Sequence, residues 1–345
     1  MSKIKIAIVG AGGIANGAHL PSYAKRDDVE LVSVADIDPE RAKNTAEKFG
    51  IPKYFTSVED LLEGSDPDIV DVCVWPAAHA EVTITAANAG KNVICEKPTC
   101  DSIEKALAMR EAIYRNKVNF MLATPLRYKP AATYIREKVD AGEFGDVFYG
   151  KTAYVRQRGI PGGWFSCKKY AGGGPILDVG VHRIDLAWYC MGCPKPTAVS
   201  ATASYLIGDY RDGTEKGWAG AQVPDYVFNT EDSSHGFIRF ENGASLYFET
   251  SWSFNGPGGS STLISGSKAG ATVDPLKIYR SNGKEVIEEE PVVENKSYVD
   301  IELGHFIDCV RNDKTPCSDI EQAVMLEAIL DGIYKSAEAG CEIKL

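Results

Sequence analysis

The chain has no apolar run approaching the roughly 20 residues needed to cross a bilayer. It has no charged, apolar, small-residue leader pattern, no internal repeat and no low-complexity segment. It has no cluster of five or more basic residues either. With 37 basic against 48 acidic side chains, the formal charge is −11 and the pI about 5.1. An acidic surface of this kind argues against general nucleic-acid binding and against anionic membranes, while leaving room for a local basic pocket. The expectation is a cytoplasmic protein with no nucleic-acid or membrane partner. The nine cysteines are an odd number scattered through strand and helix patterns, which reads as reduced, buried thiols. Cys190-Met191-Gly192-Cys193 has C-x-x-C spacing but lacks a second pair, so it reads as two thiols at a helix end. No metal site is expected.

What is present is ordinary for a globular protein: 345 residues, 44% hydrophobic and 25% charged, enough for about two domains. The chain is organised around Lys3–Ala15. Ile4, Ile6, Ile8 and Val9 form a β-branched run typical of a strand buried on both faces. It breaks into Gly10-Ala11-Gly12-Gly13-Ile14-Ala15, a glycine turn that opens a helix. In such a unit the first glycine makes the turn, and the second lets the backbone approach a pyrophosphate. The small third residue, here Ala15, lets helix and strand pack. The helix N-terminus then faces the phosphates. An ordinary tight turn can share this pattern, so its context matters.

That context is alternation. Strands are predicted at Val29–Ala35, Ile69–Trp75, Asn92–Cys95 and Phe120–Ala123. Helices are predicted at Pro39–Phe49, Ala77–Ala89 and Ser102–Asn116, with a short one opened by Thr56–Asp60. The pattern then changes. Pro130–Ala141 and Ile176–Met191 read as helices. Strand-like runs appear at Val147–Arg156, Ala198–Leu206, Ser234–Phe240, Ala244–Phe254, Ser260–Ser265 and Ile278–Tyr279, with turns such as Asn242-Gly243 and Asn282-Gly283. Glu288-Glu289-Glu290 reads as a solvated turn, and helices at Tyr298–Asn312 and Asp319–Ala339 close the chain. The expected organisation is a parallel α/β domain over 1–125 and an α+β domain with a large, mostly antiparallel sheet over 126–345.

Asp36 ends the second strand about 20 residues beyond the turn, where an acid can accept from an adenosine ribose diol and repel a 2′-phosphate. This favours NAD, with Arg41 nearby leaving NADP open; a helix-capping role for the acid is the alternative. Glu96-Lys97-Pro98 follows the fifth strand, so Lys97 is expected at the carboxyl edge of the sheet, where ligands bind. Pro98 restricts its backbone. Asp178, His182 and Asp185 share one stripe of an otherwise apolar helix. An Asp four residues before a His can orient it as a general base; a buried structural network and a metal site are the alternatives. Arg158 and Trp164 could border a sugar through guanidinium hydrogen bonds and an aromatic face, or simply pack their loop on the sheet. His19, His235 and His305 read as structural or surface residues.

Together these residues resemble the Gfo/Idh/MocA oxidoreductase family, which includes glucose–fructose oxidoreductase and inositol dehydrogenase. The resemblance spans essentially the whole chain. It rests on the Gly10–Ala15 turn, Trp75-Pro76-Ala77-Ala78-His79, Glu96-Lys97-Pro98, Arg127-Tyr128-Lys129-Pro130 and the Asp178…His182…Asp185 helix. It implies a Rossmann-type domain followed by an α+β domain with an open-faced sheet that serves dimer or tetramer contacts. It also implies an NAD(P)-dependent dehydrogenase of a sugar, cyclic polyol or glycoside, with Lys97, Asp178 and His182 as the catalytic set. Gly10, Gly12, Gly13, Ile14, Asp36, Trp75, Pro76, His79, Glu96 and Lys97 would then line the cofactor site. Arg127, Tyr128, Arg158, Trp164, Asp178 and His182 would line the substrate site. Where the family often has Thr-Pro-Asn-x-x-His, this chain has Trp-Pro-Ala-Ala-His. Two other functions share the scaffold: a redox-assisted glycoside hydrolase or lyase that recycles its NAD, and a nucleotide-sensing regulator.

Overall fold

The computed structural model describes residues 2–208 and 220–345. The chain divides into two compact units, Met1–Thr124 with Ser297–Glu327, and Pro125–Lys296 with Ala328–Leu345.

The first unit is built on a six-stranded parallel sheet. Its strands are β1 (Ile4–Val9), β2 (Val29–Ala35), β3 (Tyr54–Phe55), β4 (Ile69–Val72), β5 (Asn92–Glu96) and β6 (Phe120–Ala123). They lie in the order β3-β2-β1-β4-β5-β6. The order reverses between β1 and β4, the switch point outside whose carboxyl ends a ligand crevice forms. Ile6, Ile8, Val34, Ile69, Val70, Val93 and Ile94 are fully buried, because helices cover both faces of the sheet. Local signals set the helix ends. Asp38 accepts from the Glu40 and Arg41 N–H groups to start Pro39–Phe49, and Gly50 ends it at φ +65°. Ser57 and Ser102 cap Val58–Gly64 and Ile103–Asn116 in the same way. Tyr298–Asn312, distant in sequence, sends Leu303, Phe306 and Ile307 into the core that holds Ile6, Ile8, Leu20 and Tyr23. Burying each such side chain contributes about 1.5–3 kcal/mol.

The second unit carries β7 (Val147–Val155), β8 (Pro196–Ser204), β9 (Ser233–Phe240), β10 (Ser245–Ser251) and β11 (Gly259–Gly266). It also carries β12 (Ala269–Thr272), β13 (Lys277–Ser281), β14 (Val286–Glu289) and β15 (Ile343–Lys344). They form one sheet in the order β14-β13-β12-β11-β7-β10-β9-β8-β15. All pairs are antiparallel except β10 with β7, which run parallel from Ser245↔Tyr149 to Ser251↔Val155. Asn242-Gly243 and Asn282-Gly283 make their turns with glycine at φ +84° and +94°.

Two expectations are corrected. Glu288 and Glu289 lie in edge strand β14, where cross-strand charges hold them: Lys277 pairs with Glu288 and Glu290, and Arg280 with Glu289. The helix expected at Ile176–Met191 is a π-turn over Ile176–Gly180 followed by an α-helix over Val181–Cys190. The Pro175 carbonyl accepts the Thr250 hydroxyl at 3.2 Å, a side-chain partner where the helix starts. Cys73, Cys95, Cys100, Cys167, Cys190 and Cys309 are free, buried thiols. No described helix is long and apolar enough to cross a membrane.

Candidate active site

In the first unit, the glycine turn sits at the carboxyl end of β1. Gly10 has φ +98°, and a Cβ there would lie 2.5 Å from the Cys73 carbonyl oxygen, so no larger residue fits. Gly12 and Gly13 face open space, with nothing within 4 Å of an added Cβ, and Ile14 is exposed. The chain then winds through a π-turn, Ala15–His19, into Leu20–Tyr23. Asp36 at the end of β2 accepts the Ala11 N–H at 2.8 Å through one oxygen and the Asp38 N–H at 2.9 Å through the other. Arg41 Nη1 stands 3.4 Å from both oxygens. These features fit a dinucleotide. The open glycine backbone admits a diphosphate, and a carboxylate fixed to that same turn lies where an adenosine ribose is held.

Lys97 follows β5 and is half-buried; its bond to Pro98 is cis. Its N–H donates to Glu96 Oε2 at 3.1 Å. Trp75 precedes the helix Pro76–Asn88, which Pro76 opens. His79 lies on that helix and is buried, its Nδ1 2.7 Å from the Pro98 carbonyl and its Nε2 3.1 Å from the Val74 carbonyl. Burial pushes its pKa down, partly opposed by the two carbonyls. The ring thus lies between the loops after β4 and β5.

In the second unit, Ile176–Cys190 is buried along its length except at Asp178, His182 and Tyr189, which are partly exposed. Trp252 Nε1 donates to Asp178 Oδ2 at 2.9 Å. Asp185 departs from this open pair. It is 1% exposed and pairs with Arg127 through Nη2 at 2.6 Å and Nε at 2.9 Å. Arg127 is 2% exposed, and its guanidinium lies over the rings of Trp188 and Tyr189. The structure thus assigns Arg127 to the interior, where it ties Pro125–Tyr128 to the helix; Tyr128 is buried beside it in sequence. Arg158 donates to the carbonyls of Gln157 and Phe254 and to Asn255 Oδ1, tying its loop to the segment after β10. Trp164 stacks on Phe165 with centroids 3.6 Å apart.

Three positioning groups carry no local sequence signal. Glu231 accepts the N–H of Gly174 at 3.0 Å, the N–H of Ile176 at 3.1 Å and the Tyr334 hydroxyl at 2.9 Å. It thereby caps the start of the Asp178/His182 helix. Burial pushes its pKa up, partly opposed by those donors. A Cβ on Gly173 would collide with the Tyr334 oxygen, which explains a glycine there. Trp252 is the second such group, and His19 in the first unit is the third.

Comparison with known sequences decides the family. Residues 4–124 match the oxidoreductase family with an NAD-binding Rossmann fold, and residues 133–272 match the GFO/IDH/MocA C-terminal domain. The chain belongs to the Gfo/Idh/MocA oxidoreductase family. It is similar to D-glucoside 3-dehydrogenase of Escherichia coli (strain K12), at 33% identity over 100% of this chain and 98% of that one. It is also similar to scyllo-inositol 2-dehydrogenase (NAD(+)) of Bacillus subtilis (strain 168), at 26% identity over 94% of this chain and 92% of that one. Among solved structures, levoglucosan dehydrogenase in complex with NADH and levoglucosan has the same fold, with TM-score 0.86, 21% identity and 99% of both chains covered. The first unit of this family member is therefore an NAD-binding Rossmann domain, and its second unit is built on the family's C-terminal domain.

Proposed function

We propose that this protein is an NAD-dependent dehydrogenase that oxidises a secondary hydroxyl of a sugar, glycoside or cyclic polyol. The observation that carries this reading is the exposure pattern of Ile176–Cys190, which leaves Asp178 and His182 open on a buried helix. Polar side chains left partly exposed on an otherwise buried helix are within reach of a ligand. The relatives' names support the substrate class: D-glucoside, scyllo-inositol and levoglucosan dehydrogenases.

In this reading His182 takes the hydroxyl proton and Asp178, held by Trp252, orients it. Lys97 is assigned the ammonium that stabilises the charge developing in the reaction. Gly12, Gly13 and Ile14 receive the diphosphate, Asp36 the adenosine ribose, and Trp75, Pro76, Glu96 and Lys97 line the nicotinamide end. Bound NAD supplies the acceptor for the hydride that leaves the carbinol carbon. Arg158 and Trp164 edge the substrate side. We place the enzyme in the cytoplasm and assign it a homo-oligomer, with a second copy covering the sheet row Lys151–Tyr247–Phe237.

The test is a panel of glucosides, hexoses and inositols with NAD, read as NADH at 340 nm. Stoichiometric NADH is expected from at least one class. Turnover without net NADH would replace this reading by the redox-assisted hydrolase or lyase, and NAD binding without turnover of any compound would favour a nucleotide sensor.

A further inference from the structure

A buried carboxylate–imidazole–carboxylate chain lies at the carboxyl ends of β4 and β5 in the first unit. His19, 1% exposed, leaves the wide turn of the dinucleotide helix. Its Nδ1 lies 2.7 Å from Asp71 Oδ2 and its Nε2 3.0 Å from Glu96 Oε1. The Tyr23 hydroxyl donates to the same Asp71 oxygen at 2.9 Å, and the Cys73 thiol donates to the other at 3.3 Å. The second oxygen of Glu96 accepts the Lys97 N–H. One ring thus joins three elements, the dinucleotide helix, β4 and β5, and reaches the Lys97 backbone through a single carboxylate.

We propose that His19 is a positioning residue for Lys97: held between Asp71 and Glu96, it fixes the Glu96 carboxylate against which the Lys97 backbone is seated. The role given to Lys97 rests on the dehydrogenase reading; the geometry of the clamp does not. Two carboxylates acting as acceptors require an N–H on each ring nitrogen, which only the imidazolium has. Burial opposes that charge, but Asp71 and Cys73 outweigh it and hold the His19 pKa well above its ordinary 6.5. Burial drives up the pKa of Tyr23 and Cys73, and that of Glu302 on Tyr298–Asn312, where the Glu96 charge adds to it. The nitrogen, carboxylate and sulfur atoms of His19, Asp71 and Cys73 lie within 4.8 Å of one another, a spacing that a metal ion could also occupy.

The test uses 15N-labelled full-length protein saturated with NADH. Both His19 ring nitrogens are expected to be protonated near pH 7. In H19Q, one amide cannot serve both carboxylates. The Lys97 backbone amide resonance is then expected to shift. E96Q, nearly isosteric, is expected to move the same resonance. On an oxidised sugar, H19Q is expected to lose about tenfold or more in kcat at nearly unchanged KM. A neutral His19 ring near pH 7, a Lys97 amide unmoved in both variants, or stoichiometric zinc in the purified protein would overturn the proposal. If no sugar is oxidised, only the dehydrogenase reading fails, and the His19 and Lys97 resonances still decide this one.

Discussion

The Trp252 indole donates its Nε1–H to Asp178 Oδ2 at 2.9 Å, joining residues 74 apart in the chain. Trp252 is fully buried against Ile160 and Val179, so the donor cannot follow the carboxylate if it moves. A hydrogen bond to a charged group contributes about 1.5–3 kcal/mol. Trp252→Phe keeps an aromatic ring but removes the donor. We expect kcat to fall about tenfold with the NADH Kd unchanged, measured by steady-state kinetics and fluorescence titration. A wild-type kcat would mean that Asp178 needs no such anchor.

Lys97→Ala and His182→Gln remove, respectively, the proposed charge stabiliser and the proposed base. Each is expected to bind NADH within about threefold of the wild type and to lose about 100- to 10,000-fold in kcat. Unimpaired turnover in either variant refutes the role assigned to that residue.

Asp36 holds the glycine turn through the Ala11 N–H, with Arg41 beside it. Asp36→Ser removes the charge that repels a 2′-phosphate and leaves Arg41 to attract one. The ratio of kcat/KM for NADP over NAD is expected to rise about tenfold or more. A ratio that does not move would place the selectivity elsewhere.

The Arg127–Asp185 pair is buried on both sides. Arg127→Met strands a buried carboxylate and is expected to cost about 3–5 kcal/mol by chemical denaturation. The double variant R127M/D185L removes both charges and is expected to recover most of that loss. If R127M instead keeps full stability and raises only the sugar KM, Arg127 is a substrate ligand after all.

The raised His19 pKa makes stability depend on pH in a defined sense. The folded state holds this proton more tightly than the unfolded chain, whose value is near the ordinary 6.5. The stabilisation is complete below about pH 6.5 and is lost as pH rises through the folded-state value. The unfolding free-energy difference between wild type and H19Q is accordingly expected to be largest at acidic pH and to shrink above about pH 6.5. Denaturant titrations at several pH values read this directly, and a difference that grows with pH would contradict a charged His19.

Much of the architecture was legible because its signals are local. Strand β2 and the helices Pro39–Phe49 and Tyr298–Asn312 lie on their expected residues, since alternation, apolar runs and caps act over a few positions. The open pair on the second unit's helix was legible as spacing. Its register was not: the helix starts as a π-turn over Ile176–Gly180, where Thr250, distant in sequence, donates to the Pro175 carbonyl. Arg127 read as a ligand because an arginine in a motif looks the same whether it faces a sugar or a buried aspartate.

The amino-acid sequence by itself determined the order of the elements, the glycine turn, the acid that ends β2 and the lysine that follows β5, since each depends on neighbours a few bonds away. Only the tertiary structure decided which polar groups meet. His19 finds Asp71 and Glu96, Glu231 caps a helix start 55 residues away, and Asp185 turns inward to Arg127. These pairings arise because a buried charge must find a donor or counter-charge wherever the fold brings one. Sheet order and helix packing, not sequence spacing, determine where that is.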